Sequence, residues 1–416
     1  MILLSRVIRL RSSRYIVALR VSGCWKKMFL RTKSGLVGLL LSPIFLISMT
    51  WGGASLLGAI FSDGIDIEVW VFVTLFYIAF CIGILISKVI IVKSSISSGC
   101  QNYQLHYLFL MILTLVNVYY FLQIIFQVLT IGPQFFYLYR MSVIEGSPLI
   151  PYYSFHIGVL QVTFGLSTYL LVSRLSEYES SMFFLYLVTL FTLILTIVDG
   201  SRSFFMMGIV TFISLLLYAR KIKLSHAIFP LVIISILFIL SFSIIRGTED
   251  SFLVGLDYLI VYLSGGIRAL NFVVNGSVEV PWGDLLSINN KFHSLGLSSA
   301  YYNVKNMPLE FIDYNEYYQT NVFTALGVYY SSFGYAFLLY AFLFGLVSQF
   351  LYSRFLNRVS TFSIFCYVIF INAIVFSIFH DYTINLAYYL LKVSFVLGVI
   401  SLLSLLVCSL KVKFLM

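Results

Sequence analysis

Residues 69–87 read VWVFVTLFYIAFCIGILIS. These 19 positions contain no Asp, Glu, Lys, Arg or Pro. About 20 apolar residues coiled as a helix match the hydrocarbon thickness of a bilayer. The flanks of the stretch differ in sign: Asp63, Asp66 and Glu68 precede it, and Lys88 and Lys93 follow it. Lys and Arg gather at the cytoplasmic ends of spans, so this helix is expected to run from the outer to the inner face.

Working outward in both directions, nine further stretches have the same character, near 36–60, 105–131, 152–172, 182–198, 203–219, 226–245, 321–350, 361–379 and 384–410. Composition agrees. Apolar residues make up 61% of the 416 and charged residues 10%, where a soluble chain carries about 25% charged. So little charge cannot cover a water-facing surface of this size. Soluble enzymes, disordered regulators, secreted disulfide scaffolds and free nucleic-acid binders are excluded. The expected fold class is all-α, a polytopic membrane helical bundle of ten spans.

The net charge of +10 comes from one place. The first 33 residues hold nine cations and no acid, and the rest is near neutral. Residues 1–35 therefore read as a basic cytoplasmic arm resting on anionic headgroups, with an Arg- and Ser-rich transit peptide as the alternative. With the arm inside, inner segments carry 19 cations and outer ones 6, while 14 of the 16 acids fall outside. Both termini are then cytoplasmic. The five cysteines (Cys24, Cys81, Cys100, Cys366, Cys408) are scattered and none falls in an outer loop, so neither a disulfide framework nor a Cys-based metal site is expected.

Residues 251–274 are apolar enough to span, but an eleventh span would put Arg354 and Arg358 outside. A re-entrant or interfacial helix, or a hairpin returning to the same side, keeps the parity. Residues 246–320 then form one large outer region between spans 1–7 and spans 8–10.

Charge placement nominates the site. Nine of the ten spans have no charge in their interiors; the tenth holds Lys392, either snorkelling to a carbonyl or facing the bundle as a cation for an anionic lipid group. Arg202, Arg246 and Arg268 stand at the outer boundary. Arg suits bidentate recognition of phosphate, and three guanidiniums could neutralise a pyrophosphate, although each could instead mark a span end beside Asp199, Glu249 or Asp250. Asp257 and Arg268 are eleven residues apart, about three helical turns, on one face. Gly265 and Gly266 precede Arg268 and would admit either a head group or a packed helix. The stretch 279–320 mixes tyrosines with polar groups, which suits sugar rings or an interfacial aromatic belt. His293, Asp313 and Glu316 are its candidate bases. His380-Asp381 reads as a turn pair. No Gly-rich phosphate loop, zinc-binding His pair or Gly-x-Ser-x-Gly elbow occurs, so no cofactor or metal is expected.

Asp199-Gly200-Ser201-Arg202 opening a span, Arg246-Gly247 after the next outward span, and Asn321-Val322-Phe323-Thr324 leading to Ser332-Phe333-Gly334 resemble the O-antigen polymerase family. The resemblance covers roughly residues 36–410. Ser332-Phe333-Gly334 lacks the acid that the family often shows before that glycine. The resemblance implies a metal-independent glycosyltransferase of the bacterial inner membrane that polymerises undecaprenyl-pyrophosphate-linked oligosaccharide repeat units, with a separate chain-length regulator protein as partner. It assigns Arg202, Arg246 and Arg268 to pyrophosphate. Ser201, Gly265, Gly266, Asn321 and Lys392 become further substrate contacts, and His293, Asp313 and Glu316 serve acceptor binding or base work. A repeat-unit flippase, a ligase that moves finished glycan, and a non-catalytic partner or sensor remain the alternatives.

Overall fold

The computed structural model describes residues 35–62, 64–90, 103–132, 149–174, 181–198, 202–219, 252–278, 312–320, 322–357, 359–379 and 382–415, with a few positions between 134 and 142. The basic arm, the expected span 226–245, and Ser201, Arg246, His293, Asn321, His380 and Asp381 lie outside the described residues, as does the side chain of Arg202.

The described chain is helical almost throughout. Its elements are α1 (Gly35–Leu40), α2 (Pro43–Phe61), α3 (Ile67–Ile90), α4 (Gln104–Ile131), α5 (Tyr153–Ser173), α6 (Ser181–Val198), α7 (Arg202–Tyr218), α8 (Phe252–Val274), strands β1 (Ile312–Asp313) and β2 (Gln319–Thr320), α9 (Ala325–Phe333), a 3-10 turn (Gly334–Ala336), α10 (Phe337–Leu356), α11 (Thr361–Phe376) and α12 (Thr383–Leu415). Nine of the ten expected spans coincide with helices. By length and composition, seven helical stretches among the described residues could cross a membrane: α2, α3, α4, α5, α8, α9 with α10, and α12. The shorter apolar helices are α6, α7 and α11. Residues 252–274 form one continuous helix. The alternative of a hairpin turning back within that segment is thereby corrected.

Caps fix several boundaries. Ser42 precedes Pro43 and its hydroxyl accepts from Phe45 N at 3.3 Å, because the first helical turn leaves N–H groups without backbone partners. Thr324 and Ser360 do the same for α9 and α11. Gly334, at φ 54°, separates α9 from α10; a left-handed residue there costs least as glycine.

Packing separates lipid-facing helices from enclosed ones. On α4, Leu115, Phe126 and Leu129 are 67–80% exposed, as expected of a helix face turned to an apolar solvent. α5 is the most enclosed of the long apolar helices, packed against α4, α6, α11 and α12. The largest helix contact joins α3 to α10. There Gly83 lies against the Phe342 carbonyl and Gly345 against the Phe80 carbonyl, so close that a Cβ on either would collide with backbone. Small residues let helices approach in lipid, where no hydrophobic force drives them together. Polar pairs cross other contacts: Asn117 Nδ2 donates to Thr163 at 2.8 Å, Asn372 Nδ2 to Thr211 at 2.7 Å, and Trp51 Nε1 to Ser377 at 2.8 Å.

Candidate functional site

The all-α expectation omits one element. Residues 312–320 form a small antiparallel hairpin, with Ile312 opposite Thr320 and Asp313 opposite Gln319. Asn315 makes its turn. The Asn315 side-chain oxygen accepts from Tyr317 N at 3.0 Å and Tyr318 N at 2.9 Å, the local bond that favours Asn in turns.

This hairpin is fastened along one face of α8. Ser264 gives its own proton to the Ile260 carbonyl, so Tyr314, buried, is the donor in the 2.7 Å bond to Ser264. Tyr318 donates to Asp257 Oδ2 at 2.9 Å. The side chain of Thr320 fills the space over Gly265, where an added Cβ would lie 2.6 Å from Thr320 Oγ1. Gly266 lies against the Ile378 carbonyl and Thr324. What approaches both glycines is neither a head group nor a packed helix but the hairpin's Thr320, Thr324 and the turn at Ile378, and no room is left over their backbone.

Arg268 stands one turn beyond. Its Nε donates to the Asp313 carbonyl at 3.4 Å and its Nη1 to the Gly64 carbonyl at 2.5 Å, and its guanidinium covers the Phe272 ring at 4.9 Å. Arg268 therefore ties the hairpin to the loop between α2 and α3. Two asparagines repeat the tie: Asn271 accepts from Asp66 N at 3.0 Å, and Asn275 donates to Asp66 Oδ2 at 2.7 Å. The expectation that Asp257 and Arg268 share a face holds, since the one hairpin touches both.

Beside the hairpin is an open cavity of about 280 Å³, lined by Tyr258, Asp313, Asn315, Glu316, Tyr317, Tyr318 and Gln319. Asp313 accepts from Gln319 Nε2 at 3.0 Å and is exposed, as is Glu316. Tyr258 and Tyr318 meet edge to face at 5.2 Å. Burial, then the Asp257 hydrogen bond and charge, push the Tyr318 hydroxyl up to about 12; burial also raises Tyr314. Both phenols therefore stay protonated near neutrality. The lining offers aromatic faces, two carboxylates and two amides, a set able to stack on a polar ring and bond its hydroxyls.

No family model, curated protein or solved structure matches the chain. Among the described residues no cluster of His, Cys, Asp and Glu could hold a metal ion.

The structure thus brings Asp313, Glu316, Arg268, Gly265 and Gly266 together. Lys392 is elsewhere. Its ammonium donates to Gln161 of α5 at 2.8 Å and lies 5.1 Å from the centre of the Tyr388 ring. Sequence reasoning missed the hairpin and the ties from Gly64, Asp66, Asn271 and Asn275. A signal for the hairpin existed: Ile312 to Tyr314 and Tyr317 to Thr320 are rich in β-branched and aromatic residues on either side of Asn315, a strand–turn–strand pattern.

Proposed function

We propose that this chain is a lipid-linked oligosaccharide polymerase of the bacterial inner membrane. It transfers a growing glycan from undecaprenyl pyrophosphate to a new lipid-linked repeat unit on the outer side. The observation that carries this reading is Arg268, on a helix among apolar ones, bonded to the backbone of Asp313, which lines a polar, aromatic cavity. An anionic lipid leaving group needs a cation, and a sugar acceptor needs aromatic faces with polar groups. Arg268 spends two of the five N–H donors of a guanidinium on backbone carbonyls, so donors remain for phosphate. Arg202 and Arg246 would complete the neutralisation of the diphosphate as it departs. The family resemblance of the short motifs supports the same reaction. In this reading the chain has ten spans, both termini are cytoplasmic, α8 belongs to the outer region, and a chain-length regulator is a partner.

The test is a clean deletion with surface glycan resolved by gel. A ladder that collapses to core plus one repeat unit supports polymerisation. Loss of every glycan-bearing band points to the flippase or the ligase, and an unchanged ladder refutes the reading. Arg202→Ala and Arg246→Ala should each abolish elongation while the protein still inserts; normal ladders from both would remove the pyrophosphate assignment.

A further inference from the structure

The acids first nominated as bases, Asp313 and Glu316, are both exposed on a nine-residue hairpin, and the Asp313 carboxylate is already bonded by Gln319. Asp257 differs. It is half-buried on α8, a continuous helix, and accepts the hydroxyl proton of Tyr318 at 2.9 Å. Tyr318 itself lines the cavity. A phenol whose proton is committed to a carboxylate turns oxygen lone pairs outward, so to a ligand it is an acceptor. Helix-borne groups also hold a productive geometry better than loop-borne ones.

We infer that Tyr318 accepts the proton of the attacking sugar hydroxyl and hands its own proton to Asp257, making Asp257 the site's proton store. This rests on the polymerase reading above. The step balances. The acceptor oxygen forms a bond to the anomeric carbon of the donor glycan, and the bond from that carbon to the diphosphate oxygen breaks, its electron pair leaving with the diphosphate. The acceptor's proton moves to Tyr318 Oη as the Tyr318 proton moves to Asp257 Oδ2. Solvent later takes the proton from Asp257. Tyr318 is then a catalytic residue, and Asp257 a positioning residue that acts through it.

Among the described residues, Asp257 is the carboxylate that Tyr318 bonds. On its own helix are Tyr258, Tyr262 and Arg268, the last eleven residues away, about 16 Å along the axis. The hairpin adds Asp313, Tyr314, Glu316 and Tyr317. Of the other helices packed on α8, α2 brings no Asp, Glu, Lys, Arg, His or Tyr. α3 brings Glu68, Tyr77, Cys81 and Lys88, with Asp66 just before it, and Asp66 is bound to Asn271 and Asn275. α9 brings Tyr329 and Tyr330.

The experiment uses the full chain in proteoliposomes with lipid-linked repeat units, initial rates being read from about pH 4 to pH 9. The wild type supplies the reference rate and pH profile for each variant. Asp257→Asn should lose about 100-fold or more across the range, as loss of a proton acceptor does, with little change in KM. Asp257→Glu should restore a tenth or more of the rate with a shifted pH profile, a rescue that a purely structural role would not give. Wild-type protein that makes no polymer overturns the polymerase reading and this inference with it. Active wild type with Asp257→Asn at full rate, or with its pH profile unmoved, overturns the relay alone. Should Asp257→Asn fail to insert, Tyr318→Phe decides, since it keeps the ring and removes one hydroxyl: a full rate sinks the relay, and a 100-fold loss at unchanged KM supports it.

Discussion

Replacing Gly345 by Ala tests the packing at the centre of the bundle. An added Cβ would meet the Phe80 carbonyl oxygen in collision and lie 2.8 Å from the carbonyl carbon and 3.1 Å from the Phe80 Cα. Carbon atoms in contact settle at about 3.5–4.0 Å, so α3 and α10 must part by at least about 0.7 Å. A gap of that size forfeits about a quarter to a half of each pair's attraction. The aromatic pairs along this seam, Phe80 with Phe344 and Phe72 with Phe337, now have centroids 5.4 and 5.6 Å apart. If about thirty atom pairs at about 0.15 kcal/mol each are affected, roughly 1–2 kcal/mol of dispersion goes. Strain brings the total to about 2–3 kcal/mol, in the range of other overpacked sites. Gly53→Ala is the matched control, since nothing lies within 4 Å of a Cβ there. Both substitutions gain the same helix propensity, about 1 kcal/mol, so their difference isolates the collision. Reversible unfolding in mixed micelles should show Gly345→Ala less stable than Gly53→Ala by about 2–3 kcal/mol. Equal stabilities would refute the backbone-to-backbone contact.

Other expectations follow from the same contacts. Tyr314→Phe removes the bond to Ser264 and should cost about 1 kcal/mol, read as faster amide exchange in residues 312–320 with α3 and α10 unaffected. The Tyr318 hydroxyl, held up to about 12 against an ordinary 10, should favour the docked hairpin fully below pH 10; that contribution disappears as pH rises through about 12, because the unfolded phenol ionises first. Limited proteolysis of the hairpin against pH should show this loss, and Tyr318→Phe should abolish it. Asn117→Leu removes an intramembrane bond to Thr163 and should change stability by less than about 1.7 kcal/mol, the largest value for such pairs; a larger loss would mean the pair organises the α4–α5 contact. Gln161→Leu deprives the Lys392 ammonium of a partner and should cost about 1.5–3 kcal/mol, whereas Gln161→Leu combined with Lys392→Met should recover most of it.

Helix positions were legible because lipid imposes a crude rule. A span must be apolar for about 20 residues, and nine of ten expected spans coincide with helices whose ends differ by a few residues. The site was less legible because its parts come from distant places in the chain. Arg268 meets Gly64 across 204 positions and Asp313 across 45, and both partners are backbone carbonyls, which carry no sequence signature. Gly265 and Gly266 show the opposite difficulty. Their smallness was visible, but a glycine facing a ligand and a glycine facing Thr320 or the Ile378 carbonyl read identically until the neighbour is known.

α8 shows what a polar stripe on an apolar helix means. Asp257, Ser264, Arg268, Asn271 and the adjoining Asn275 are spaced by seven, four, three and four residues, which puts them on one side of a helix of 3.6 residues per turn. A lipid-facing stripe of that kind would leave a carboxylate, a guanidinium and two amides in hydrocarbon, at several kcal/mol each. The stripe must therefore meet water or protein. In the structure it meets protein at each of the five positions: Tyr318, Tyr314, the Asp313 and Gly64 carbonyls, and Asp66. By contrast, α2 carries no charged residue and needs no such cover. The period of its polar residues thus marks α8 as the helix that must hold a non-helical segment against itself, and this is why the hairpin, with the cavity beside it, sits there rather than on any of the smoother spans.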